Sequence, residues 1–130
     1  MKIKLTQVFV DDQEKALKFY TEVLGFVKKR DIPVGEYKWL TVVSPDEQNG
    51  TELLLEPSDN PATKVFKKAI YEQGITWALF EVDDIQHEYE RLKSRGVRFT
   101  MEPTDLGTTK NAVFDDTCGN YIGLYQPTSK

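Results

Sequence analysis

Residues 10–25 read V-D-D-Q-E-K-A-L-K-F-Y-T-E-V-L-G, and residues 82–96 read V-D-D-I-Q-H-E-Y-E-R-L-K-S-R-G. Each copy is an apolar strand end, an acidic pair, an amphipathic run and a glycine stop. In the first, Ala16, Phe19, Tyr20, Val23 and Leu24 recur at the three- and four-residue spacing that lays one apolar stripe along a helix; Ile85, Tyr89 and Leu92 follow the same rule in the second. An aspartate precedes each helix, where its carboxylate accepts from unpaired backbone N–H groups, and Gly25 and Gly96 supply the left-handed residue that ends it. The chain therefore repeats a strand, helix, strand unit. A duplicated module buries its apolar faces against its twin, so a cavity is expected between the halves.

Outward from this phrase, Ile3 to Val10 alternates as a strand, with Leu5, Gln7 and Phe9 on one face and Lys4, Thr6, Val8 and Val10 on the other. Beyond Gly25, strands are expected over Phe26–Ile32, Tyr37–Ser44 and Thr51–Glu56, with Pro57 as a stop. Ala62, Val65, Phe66, Ala69 and Ile70 mark a linking helix over about 62–73, closed by Gly74. Strand Ile75–Val82 opens the second copy, helix 84–95 follows, and Val97–Met101, Asn111–Phe114 and Tyr121–Tyr125 complete it. The predicted class is α+β: two βαβββ modules, about 1–57 and 75–127, in one domain spanning 1–130, building a curved, mostly antiparallel sheet around a cleft. A ferredoxin-like βαββαβ domain is the alternative, and it leaves several strand-like runs unassigned.

Composition excludes several functions. The net charge of −4 and pI near 5.1 lack the basic face that displaces counterions from nucleic acid. Lys64, Lys67 and Lys68 fall opposite the apolar stripe of the linking helix and read as a solvated face. No window approaches the roughly 18 apolar residues of a membrane span. Cys118 is the single cysteine, so no internal disulfide forms, and without an export signal the cytoplasm is the expected compartment.

The doubled βαβββ arrangement resembles the vicinal oxygen chelate superfamily, which includes glyoxalase I, extradiol dioxygenases, fosfomycin-resistance transferases and bleomycin-resistance proteins. Val10-Asp11-Asp12 with Ala16, Phe19-Tyr20 and Leu24-Gly25-Phe26 carry the resemblance, as does Asp116-Thr117-Cys118-Gly119-Asn120, which looks like the family's D-P-x-G-N turn with Thr117 in place of proline. In metal-dependent members, the resemblance implies, four side chains from matched strands hold one divalent ion. Counting five residues back from each V-x-D valine gives Leu5 and Trp77, and aligning the module endings Leu54–Pro57 with Leu124–Pro127 gives Leu53 and Gly123. None of these four offers a side-chain ligand to a divalent ion. The resemblance to metal-dependent members therefore stops short of their chemistry.

Among the remaining residues, His87 reads as a solvent-facing helix residue and, as the sole histidine, builds neither a triad nor a metal pair. Cys118 reads as a corner residue with no base nearby. Glu52 and Glu56 lie opposite Leu53 and Leu55 by alternation, and Glu56, at the strand end, is the better candidate for a cation anchor. Trp39 and Trp77 read equally as sheet core or as stacking surfaces for a planar ligand. Gln7, on the Leu5 face, reads as a hydrogen-bonding anchor or a satisfied buried amide. The expected ligand pocket is thus Leu5, Gln7, Trp39, Leu53, Glu56, Trp77, Gly123 and Tyr125. The expected function is metal-free binding of an aromatic or amphipathic small molecule, without a cofactor, by a homodimer. Its rival is an enzyme of the same superfamily that recruits a divalent ion through Gln7, Glu56 or Asp115.

Overall fold

The computed structural model describes residues 1–128. Two compact units divide it, Met1–Lys67 and Lys68–Lys130. The first holds β1 (Leu5–Val10), α1 (Gln13–Lys18) continued by a π-helical turn (Phe19–Val23), β2 (Val27–Val34), β3 (Tyr37–Val43) and β4 (Glu52–Pro57). Helix α2 (Pro61–Glu72) crosses the division, and the second unit adds β5 (Thr76–Glu81), α3 (Ile85–Ser94), β6 (Phe99–Asp105), β7 (Thr109–Asp115) and β8 (Tyr121–Pro127). The hydrogen-bonded order is β1-β4-β3-β2 in one sheet and β5-β8-β7-β6 in the other, so each module pairs its first and last strands in parallel and the rest antiparallel. The two βαβββ modules have the same topology.

The repeated phrase caps both helices alike. Asp12 Oδ1 accepts from Lys15 N at 3.1 Å and Asp84 Oδ1 from His87 N at 3.1 Å, while Gly25 and Gly96 take φ of 96° and 88°, conformations that carry little cost only without a Cβ. Val8, Val10, Ala16, Tyr20, Leu40, Val42 and Leu55 are buried where α1 packs on the first sheet. Ile85, Leu92, Ala112, Phe114, Ile122 and Leu124 are buried around α3 in the second. Strands β2 and β6 run past their expected ends at Ile32 and Met101 to include Pro33 and Pro103, because both are edge strands that need no donor on their outer side.

Two expectations fail locally. Lys67 is 8% exposed and belongs to no solvated face, whereas Val65 and Phe66 of the supposed inward stripe are 71% and 53% exposed. Amphipathic spacing fixes which residues share a side of a helix, not which side meets the protein. The second departure is at the D-T-C-G-N turn, where Thr117 has φ of 64°. Proline, locked near −65°, cannot take that angle, so Thr117 does not stand in for it conformationally. A β-branched residue there is strained, and Thr117→Gly is expected to stabilise the protein by about 0.5–1 kcal/mol in denaturant unfolding.

Candidate functional site

Strand pairing decides which side chains share the face of each sheet opposite its packed helix. In the first module the parallel register Leu5↔Glu52, Gln7↔Leu54 and Phe9↔Glu56 puts these six on that far face. Across the antiparallel neighbours, Thr41↔Leu54 and Ile32↔Trp39 add Thr41, Trp39 and Ile32. Leu5, Ile32 and Trp39 are exposed, the last by 38%. Leu53 pairs with Thr6, is 8% exposed and faces α1. It cannot share a surface with Leu5; aligning the module endings by sequence misplaced it by one residue, and one residue reverses a strand face.

The two carboxylates on this face differ. Glu52 accepts from Arg30 Nε at 3.0 Å and Thr41 Oγ1 at 2.8 Å, and the Arg30 hydrogen bond holds its carboxyl below the usual range. The Glu56 side chain makes no hydrogen bond or ion pair with another described residue. It is half-buried, paired with Phe9 across the ladder.

In the second module a bulge between Thr76 and Ala78 interrupts the β5–β8 ladder. Trp77 is the inserted residue, and Thr76, paired with Tyr121, is the ladder counterpart of Leu5. Counting residues along the chain missed this because a bulge adds one. Gly123 lies on the far face opposite Leu79 and Val113. A Cβ there would come within 2.4 Å of Leu79 Cδ2 and 3.3 Å of Thr76 Cγ2, so the glycine makes room for the Leu79 side chain. Tyr125, also on this face, donates to Glu81 Oε1 at 3.1 Å.

The matched strand positions are therefore Leu5 and Leu54 in one module and Thr76 and Gly123 in the other. One neutral hydroxyl is the sole side-chain donor among them, and no three His, Cys, Asp or Glu side chains come together among the described residues. These residues do not fit a divalent ion. Asp115, considered as an alternative ligand, is engaged: it accepts from Tyr71 Oη at 2.6 Å, Arg98 at 2.7 Å and Thr117 N at 2.8 Å. His87 is exposed on α3, and Cys118 is fully buried, closed to external electrophiles.

The Asp115 cluster ties α2 to the second sheet, with Tyr71 stacked on Tyr121 at 4.4 Å between centroids and 5° between planes. Burial alone would raise the Asp115 pKa, yet hydrogen bonds from Tyr71, Thr117 N and Arg98 hold it below the ordinary aspartate value of 3.8. A depressed folded-state pKa adds stability above the unfolded value that is lost as pH falls through the folded one. Asp115→Asn is therefore expected to lower unfolding free energy by about 1–3 kcal/mol at neutral pH, and the gap from wild type should close below pH 3.8 in urea titrations.

The family comparison follows from this topology. The sequence model of the Glyoxalase/Bleomycin resistance protein/Dioxygenase superfamily matches residues 2–124. The chain belongs to this superfamily. The uncharacterized protein YurT of Bacillus subtilis (strain 168) is 57% identical over 97% of this chain and 99% of its own length. Among solved structures, UcmS2 is 34% identical with a TM-score of 0.84, over 96% of this chain and 97% of that one. TnmS3, an antibiotic binding protein from Streptomyces sp. CB03234, is 30% identical with a TM-score of 0.77, over 98% and 97%. The glyoxalase and bleomycin-resistance scaffold is thus present across nearly the whole chain. At the matched strand positions stand Leu5, Leu54, Thr76 and Gly123, of which Thr76 alone carries a side-chain oxygen.

Proposed function

We propose that the protein binds an aromatic or amphipathic small molecule without a metal ion, on the far face of the first sheet. The observation that carries this reading is Trp39: an indole exposed on a sheet face that also presents Leu5, Ile32 and a carboxylate, Glu56, whose side chain makes no hydrogen bond to another described residue. Apolar surface supplies affinity and the charge supplies orientation, favouring a planar cation. Gln7, exposed on the same face, adds a hydrogen-bonding group. The antibiotic-binding role of TnmS3 supports this class of ligand. Fluorescence titration against planar cationic antibiotics and metabolites should give saturable quenching that Trp39→Ala removes. Turnover that appears only with added Mn²⁺, Ni²⁺ or Zn²⁺ would instead assign a lyase- or dioxygenase-type activity.

The same reading places the protein in the cytoplasm as a homodimer. No helix among the described residues is long and apolar enough to cross a membrane. Exposed Val65 and Phe66, six and five residues before the Tyr71 of α2 that stacks on Tyr121, form an apolar strip suited to a second copy. Light scattering at tens of micromolar should give about twice the 15.0 kDa chain mass, and a Val65→Asp, Phe66→Asp double variant should give the monomer mass.

A further inference from the structure

Equivalent ladder positions of the two sheets carry the same pair of groups in exchanged places. On the first sheet the ring is Phe9 of β1 and the carboxylate Glu56 of β4. On the second the carboxylate is Glu81 of β5 and the ring Tyr125 of β8. Both pairs lie on the face opposite the packed helix. Glu81 is exposed, and the phenol occupies one of its oxygens at 3.1 Å, leaving the other accessible. That hydrogen bond fixes the phenol against Glu81 and raises the Tyr125 pKa. Two residues before Glu81, Leu79 is 55% exposed and occupies the space that Gly123 leaves open. An aromatic face, a fixed negative charge and an aliphatic surface suit an alkylated ammonium group, which has charge and methyl groups but no N–H to satisfy. Anions are repelled by Glu81, and a neutral apolar ligand would gain nothing from it.

We propose that Glu81, Tyr125 and Leu79 form a second subsite, for an alkylated ammonium group, that works independently of Trp39 and Glu56. The idea extends the small-molecule reading of the first sheet, and the test separates the two. Tetramethylammonium is titrated into protein carrying labelled leucine methyl groups while tryptophan fluorescence is followed with a planar cation in parallel. The Leu79 methyl resonances should shift saturably. Glu81→Gln and Tyr125→Leu should each weaken that titration about tenfold, Tyr125→Phe should nearly preserve it, and Trp39→Ala should leave it unchanged. Absence of a Leu79 shift, or wild-type affinity in Glu81→Gln, overturns the subsite even where Trp39 is quenched. A Leu79 titration without any Trp39 response supports the subsite and rejects the first-sheet reading.

Discussion

Asp116→Ala is expected to lower unfolding free energy by about 3–5 kcal/mol, a large share of the roughly 5–15 kcal/mol that holds a native domain together. Asp116 is fully buried in the turn before β8. Its Oδ1 accepts from Cys118 N at 2.7 Å and Asn120 N at 3.0 Å, and its Oδ2 from Asn120 Nδ2 at 2.8 Å. Alanine leaves three donors in a site that water does not reach, each costing about 1–3 kcal/mol if unsatisfied. It also releases the turn that sets the β7–β8 register and hence the far face of the second sheet. Asp116→Asn, which keeps an acceptor, should cost less than half as much. Equilibrium urea unfolding of both variants checks this, and equal losses would show that the turn is held by something other than these bonds.

The second large effect concerns binding. Trp39→Ala should weaken a planar aromatic cation about 60-fold, because roughly 100 Å² of apolar contact is worth about 2.5 kcal/mol. Glu56→Gln should cost less, about five- to tenfold, and its effect should fade with added salt because the site is only half-buried. Calorimetry with N-methylquinolinium at two salt concentrations separates the two contributions. Trp39→Phe, which keeps a ring, should recover most of the loss.

The doubled phrase made the fold readable because caps, apolar spacing and terminal glycines are local and repeat. Leu5, Gln7 and Phe9 were assigned to one face by simple alternation, and the ladder Leu5↔Glu52, Gln7↔Leu54, Phe9↔Glu56 agrees; Glu56, expected opposite the Leu53 it was read against, shares their face because Leu53 is the residue that turns away. What alternation cannot supply is an offset that depends on the partner strand. The bulge beside Trp77 moved the counterpart of Leu5 to Thr76, and the one-residue error at Leu53 sent it to the helix side. Leu79 escaped notice because its role depends on a missing Cβ far along the chain, at Gly123, with α3, β6 and β7 between them. A glycine inside a strand was the available signal, since it marks a close approach by another group. Lys67 was misread for a different reason: helical periodicity assigns sides, and packing chooses between them.

The central claim is ligand binding on a metal-free surface, and one calorimetric measurement addresses it directly. Protein stripped with chelator, and the same protein resupplied with Mn²⁺, Ni²⁺ or Zn²⁺, are each titrated with N-methylquinolinium. The account predicts the same affinity in every sample, with no stoichiometric uptake of metal. Binding that vanishes on chelation and returns with one of these ions would contradict it.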